Sequence, residues 1–151
     1  PQTEFNLIGF IEPTENHYKE DLRKLQEEGI IIYRGSQKDV KPFVARAHAT
    51  IHPSTYGEGM SNVLLESASS GRFLITTNNP GCQETLEDGK TGFIYPGGNV
   101  DALVNAIDRF LAMSNTQRQQ MGELGRERVK NIFSRTIVVN AYKEKIKELL
   151  S

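Results

Sequence analysis

His52-Pro53-Ser54-Thr55-Tyr56-Gly57-Glu58-Gly59-Met60-Ser61-Asn62-Val63-Leu64-Leu65-Glu66-Ser67-Ala68-Ser69-Ser70-Gly71 is the stretch on which the fold turns. Ala47, Ala49 and Ile51 before it make a short strand ending at Pro53, a residue that cannot donate to a ladder and suits a strand end. Gly57 and Gly59 allow a tight turn in which backbone amides approach a ligand closely. Met60 to Ser70 then reads as a helix with Val63, Leu64, Leu65 and Ala68 inward. Strand, glycine turn and helix is a phosphate-holding geometry, because the first helical N–H groups lack internal partners and the helix dipole adds partial positive charge.

Outward from this stretch, strands alternate with helices. Phe5 to Phe10 reads as a buried strand, Thr14 to Glu28 as a surface helix carrying Tyr18, Leu22 and Leu25 and closed by Gly29, and Ile30 to Tyr33 as a second strand. Asp39 is a candidate N-cap for a short helix with Val40, Phe43, Val44 and Ala47 on its apolar face. Downstream, Arg72 to Thr76 is β-rich, Asn78 to Gly81 is a turn leading into a helical piece that runs to Glu87, and Thr91 to Tyr95 is the last strand. From Asn99 the chain reads as helical: Leu103, Ile107 and Leu111 mark one helix, Met121, Leu124 and Val129 a second. A third carries Ile137, Tyr142, Ile146 and Leu149 as an apolar stripe flanked by lysines, read as a domain-docking surface. The expected class is α/β, a Rossmann-like parallel sheet with helices on both faces and a C-terminal helical extension, with ligand at the carboxyl ends of the strands.

The 151 residues form one domain-sized chain with 37% hydrophobic and 25% charged residues and a formal net charge of −1. That balance indicates no general polyanion surface and argues against nucleic acid as a partner. The apolar runs are far shorter than a membrane span. The lone Cys82 excludes an internal disulfide and a cysteine-based zinc cluster, which fits a cytoplasmic setting. Pro1 stands directly before an apolar strand, so a domain cut from a larger protein is expected.

Glu58 and Glu66, eight residues apart, would lie ~12 Å apart along a continuous helix. A glycosidase pair needs roughly 5 to 9.5 Å, so the two carboxylates have separate jobs. Glu58 in the glycine turn can reach hydroxyls beyond a phosphate at the helix start, and Glu66 can accept from a ribose alongside the helix. From spacing alone an ordinary alternative stands equally: Glu58 as a negative charge placed well at a helix N-terminus, Glu66 as a solvated helix residue. Gly57, Gly59, Met60, Ser61 and Asn62 supply amides for the anion, with Ser61 and Asn62 adding side-chain donors.

Other sites are weaker. Gly57-x-Gly59 is a partial dinucleotide match, because Asn62 occupies the third glycine position. Gly89-Lys90-Thr91 is no P-loop, since Glu84 stands where the first glycine belongs and a strand follows. His52 at the strand end suits a structural hydrogen bond more than a substrate contact. His17 and His48 have no ligand-spaced neighbours and Asp-x-Asp is absent, so no metal is indicated. Cys82, near the start of a helical piece, could have a lowered pKa, although packing is its favoured role.

Taken together, His52-Pro53-Ser54, Gly57-Glu58-Gly59, Glu58-x7-Glu66, Ala68-x-x-Gly71, Pro80-Gly81-x-x-Glu84 and Asp88-Gly89-x-Thr91-Gly92-Phe93 resemble the donor-binding half of the group 1 (family 4 type) retaining glycosyltransferases. These are enzymes of the GT-B fold, in which two Rossmann-like domains face a cleft. The resemblance implies that Glu58 binds the donor sugar's hydroxyls and Glu66 the ribose. It implies that the turn at Gly59 to Ser61, with Ser54, Gly57, Met60 and Asn62 around it, holds the diphosphate, and that the region from Gly35 to Val40 meets the base. The substrate would be a UDP-sugar or GDP-sugar, with no cofactor and no metal. The partner would be an acceptor domain on the N-terminal side of the same protein, and the acceptor a lipid-linked sugar at the inner membrane face in bacterial surface polysaccharide assembly.

The family's Arg and Lys that clamp the diphosphate would lie upstream of Pro1, as would the first strand of the domain. A fragment without them is expected to bind nucleotide weakly and transfer nothing. Its open edges, at Phe5 to Phe10 and Ala49 to Ile51, are expected to pair with each other or with another copy. A non-catalytic nucleotide or sugar-phosphate binding module and a dinucleotide-dependent oxidoreductase are the competing readings.

Overall fold

The computed structural model describes residues 3–11 and 18–150, in two units, Pro1–Lys41 and Pro42–Ser151. The first holds β1 (Phe5–Leu7), α1 (Tyr18–Glu27) and β2 (Ile31–Tyr33). The strands pair in parallel with Phe5 opposite Ile31, so the helix between them is the crossover that a parallel pair requires. Gly29 ends α1 in the left-handed region at φ +72. Its N–H donates to the Gln26 carbonyl at 3.1 Å and that of Ile30 to the Leu25 carbonyl at 2.9 Å, the paired bonds of a Schellman stop. Residues 14–17 of the expected longer helix lie outside the described residues. The buried strand expected from Phe5 to Phe10 is instead three exposed residues with Phe10 67% exposed. Hydrophobic composition favours burial, but within this unit β1 has one strand neighbour, and no residue of α1 is buried.

In the second unit, α2 (Lys41–Arg46) is followed by β3 (Ala49–His52), α3 (Asn62–Ser69), β4 (Phe73–Thr77), a short 3-10 turn at Gln83–Thr85 and β5 (Gly92–Tyr95). Three helices complete it: α4 (Val100–Ala112), α5 (Asn115–Ile132) and α6 (Arg135–Leu150). The sheet is parallel in the order β3-β4-β5. Every residue of the central strand β4 is buried, as expected when both faces are covered. Alternation sorts its side chains. Leu74 joins Leu64, Ala68, Cys82, Leu86 and Val129 on the face of α3 and α5. Phe73 and Ile75 join Phe93, Tyr95, Ala106 and Phe110 under α4, where Phe73 meets Phe93 edge-on with ring centroids 5.0 Å apart. Within the units, β1 pairs with β2 and β3 with β4.

Two inward assignments change. Val63 is 49% exposed while Leu64 and Ala68 are fully buried, because α3 begins at Asn62 and turns a narrower face to the sheet. Leu124 is 56% exposed; α5 instead buries Gly122, Gly125 and Val129. A Cβ on Gly122 would stand 2.2 Å from the Gly71 carbonyl oxygen, so this helix approaches the end of α3 through a glycine where hydrophobic periodicity expects a large side chain. The helical piece expected up to Glu87 is only the Gln83–Thr85 turn. α6 buries no residue, and Tyr142, Ile146 and Leu149 of its apolar stripe are exposed. Among the described residues no helix is long and apolar enough to cross a membrane.

Candidate active site

The site is built at the carboxyl ends of β3 and β4, where side chains of β4 extend the ladder past the strands. Thr76 Oγ1 donates to the His52 carbonyl at 2.9 Å, Thr77 Oγ1 to the Ser54 carbonyl at 2.9 Å, and Asn79 Nδ2 to the same Ser54 carbonyl at 2.7 Å. Ser54 is buried and its hydroxyl donates to the Tyr56 carbonyl, so it braces the loop with both its backbone and its side chain. The glycine turn is then stitched to the loop after β4: Glu58 N–H donates to the Pro80 carbonyl at 3.0 Å and Ser61 N–H to the Gly81 carbonyl at 2.9 Å. Gly81, at φ +84, is itself held by its N–H to Glu84 Oε2 at 2.8 Å. This clamp, pressed against the Glu58 backbone, is what sequence reading lacks; the Pro80-Gly81-x-x-Glu84 spacing is its only local signal.

Glu58 Oε1 lies 2.7 Å from His52 Nε2, with both side chains less than a quarter exposed. A carboxylate only accepts, so Nε2 carries the proton. The hydrogen bond from His52 holds the Glu58 carboxyl below the ordinary value of 4.5 against the opposing effect of burial. His52 thus has the structural hydrogen bond expected of it, and its partner is a candidate site residue. Cys82 is completely buried beneath them. Burial pushes its thiol up and the Glu58 charge pushes it the same way, the reverse of activation by a helix start. Donor atoms of His52, Glu58 and Cys82 lie within 4.8 Å of one another. In this arrangement the imidazole and the carboxylate are bonded to each other.

Ser61 precedes α3 as its N-cap without a side-chain capping bond, and its buried hydroxyl, near enough to Glu58 to help hold that carboxyl down, makes no full hydrogen bond among the described residues. Its amide, expected to face an anion, is committed to Gly81. The amides of Gly59, Met60, Asn62 and Val63 have no protein acceptor among the described residues. They line the start of α3, where the helix dipole is positive. Glu66 is exposed one turn along α3 from Asn62, and its carboxylate has no partner among the described residues. The second unit therefore brings together Ser54, Gly57, Glu58, Gly59, Met60, Ser61, Asn62 and Glu66. Gly35, at φ +64 with its carbonyl accepting from Gly9 N–H, and Val40, just before α2, belong to the first unit.

Residues 1–128 match the family described as glycosyl transferases group 1. The chain belongs to the group 1 glycosyl transferases. It is 30% identical over 128 residues to the lipopolysaccharide core biosynthesis glycosyltransferase LpsE of Rhizobium meliloti, covering 82% of this chain and 37% of the relative. It is 32% identical over 133 residues to the capsular polysaccharide biosynthesis glycosyltransferase CapM of Staphylococcus aureus, covering 87% and 34%. The chain thus spans about a third of these relatives' length. Among solved structures, a glycosyltransferase from Rickettsia africae superposes with TM-score 0.88 at 25% identity, covering 99% of this chain and 41% of that one. HepE of Anabaena in complex with UDP superposes with TM-score 0.88 at 20% identity, covering 98% and 42%. The architecture is that of one Rossmann-like half of a GT-B glycosyltransferase.

The His52–Glu58 pair makes the site sensitive to acid with a defined sign. A carboxylate whose folded pKa is depressed contributes stability that is fully present above its unfolded value and lost as pH falls through the folded one. His52→Ala should destabilise the chain by about 1–3 kcal/mol at pH 7, the cost of a buried polar group left without its partner. In thermal unfolding series the gap from wild type should close as pH falls below 4.5, because protonated Glu58 no longer needs the imidazole. A gap independent of pH would show that the pair is not its source.

Proposed function

We propose that this chain is the donor-binding half of a retaining glycosyltransferase, holding a UDP-sugar or GDP-sugar while an N-terminal domain of the same protein presents the acceptor. The observation that carries this reading is the placement of Glu58 in the glycine turn and of Glu66 on the outer face of α3, on either side of unsatisfied amides at the helix start. Those amides suit the diphosphate. Glu58 accepts from hydroxyls of the sugar, and Glu66 from the ribose diol. The acceptor oxygen attacks the anomeric carbon on the face the diphosphate leaves, the bond from that carbon to the diphosphate oxygen breaks, and the departing phosphate takes the acceptor's proton. No protein nucleophile or metal is needed. The helix-end amides stabilise the charge that develops on the leaving group, a preorganised electrostatic contribution.

The roles of LpsE in lipopolysaccharide core biosynthesis and of CapM in capsular polysaccharide biosynthesis support bacterial surface polysaccharide assembly as the setting; our reading adds a lipid-linked acceptor met at the cytoplasmic face of the membrane. UDP and UDP-glucose in HepE complexes make uridine the base to test first.

Calorimetry with UDP, GDP and NAD tests the reading. UDP or GDP should bind, and Glu66→Ala should weaken that binding about 10- to 150-fold, the equivalent of a charge-assisted hydrogen bond. Binding of NAD in preference, or a nucleotide affinity untouched by Glu66→Ala, would reject it.

A further inference from the structure

A second site stands at the other edge of the same sheet. A cavity of about 370 Å³ is lined by residues that include His48, Arg72, Arg118, Gln119, Glu123 and Arg126. His48 immediately precedes β3 and Arg72 immediately precedes β4. The cavity therefore lies at the amino ends of the strands, ~13 Å along the four residues of β3 from the His52 end.

Two of its arginines are held in place by backbone carbonyls. Arg72 donates through Nε to Ser70 and through Nη1 to Ala47, both at 3.1 Å. Arg118 donates through Nε to Phe110 at 3.0 Å and through Nη2 to Leu111 at 2.7 Å, and it stacks over the Phe110 ring at 4.5 Å. Each guanidinium has five N–H donors, so several remain on both. Tethering α2 and α4 accounts for the pinning but not for the charge balance. Arg126 and His48 have no protein partner, and no carboxylate pairs with any of the three arginines among the described residues. Glu123, the lone carboxylate of the lining, accepts from Gln119 instead at 3.2 Å. Like charges in one concavity repel each other and focus a positive potential. An anion relieves both, and guanidinium forks already fixed in orientation match the oxygens of a phosphate.

We propose that this cavity binds a phosphate group, at a site separate from that of the donor. The phosphate can come from solution or from the headgroup of an anionic lipid, and two arms distinguish these sources. In the first, the full chain is titrated with inorganic phosphate and pyrophosphate while backbone amide resonances are followed. The expected shifts fall at Gly71, Arg72 and Asn115, and Arg126→Ala, a change at an exposed residue with no partner, should weaken them about tenfold with unfolding unchanged. In the second, the chain is floated with phosphatidylglycerol or phosphatidylcholine vesicles. Capture by the first alone, lost in Arg126→Ala, assigns the headgroup. Phosphate shifts confined to Gly59 to Val63, binding unaffected by Arg126→Ala, or no response in either arm overturns the proposal.

Discussion

Gly81→Ala should lower the unfolding free energy by about 2–5 kcal/mol, combining roughly 1–2 for a left-handed residue that acquires a side chain with about 1–3 for overpacking. It should also weaken nucleotide binding more than about tenfold, a shift of 1.4 kcal/mol or more. The new methyl would lie 2.3 Å from the Glu58 carbonyl oxygen and 2.7 Å from its carbon. Both atoms are backbone, so no rotamer change relieves the clash. The same contact is stitched by the Glu58 N–H to Pro80 and the Ser61 N–H to Gly81, and pushing it apart moves the glycine turn and the start of α3 together. Gly57→Ala is the control for the unfolding effect, because its added methyl meets no protein atom within 4 Å. Urea unfolding and calorimetry read both effects; wild-type behaviour in Gly81→Ala would mean that the loop yields without cost and is no clamp.

The legible parts of this fold were those in which local chemistry decides the outcome. Gly29 stops α1, the helical run begins at Asn99, and Phe73 to Ile75 reads as apolar because β4 is covered on both faces. The strand-turn-helix at His52 to Ser70 was legible through Pro53, Gly57 and Gly59. What escaped depends on neighbours distant in sequence. An apolar run such as Phe5 to Phe10 does not reveal how many strands flank it. Leu124 outranks Gly122 on any hydrophobic count, yet the close approach of Gly71 selects the residue with no side chain. Ser61 offers an amide at a helix start, and only the folded position of Gly81 shows that this amide is already bonded. His52 and Glu58 meet across a loop with no periodic relation, so their pairing leaves no pattern to count.

That pairing also lets the two roles of Glu58 be separated. As a brace, its carboxylate anchors the glycine turn to His52 at the end of β3; as a ligand, it takes hydroxyl hydrogens of the donor sugar. Glu58→Gln keeps an acceptor oxygen for His52 Nε2 and nearly the same volume, while removing the charge that strengthens a bond to a sugar hydroxyl. Its unfolding curve should therefore stay close to wild type. UDP affinity should be unchanged, and the extra affinity of a UDP-sugar over UDP should fall about 10- to 150-fold, the equivalent of hydrogen bonds to a charged group. Glu58→Ala should lose that increment as well, and in addition the stability of the His52 contact. If Glu58 were only a brace, Glu58→Gln would be silent in every measurement while Glu58→Ala weakened UDP and UDP-sugar alike through the displaced turn. The ratio of the two affinities across the two variants therefore decides whether the carboxylate touches the sugar.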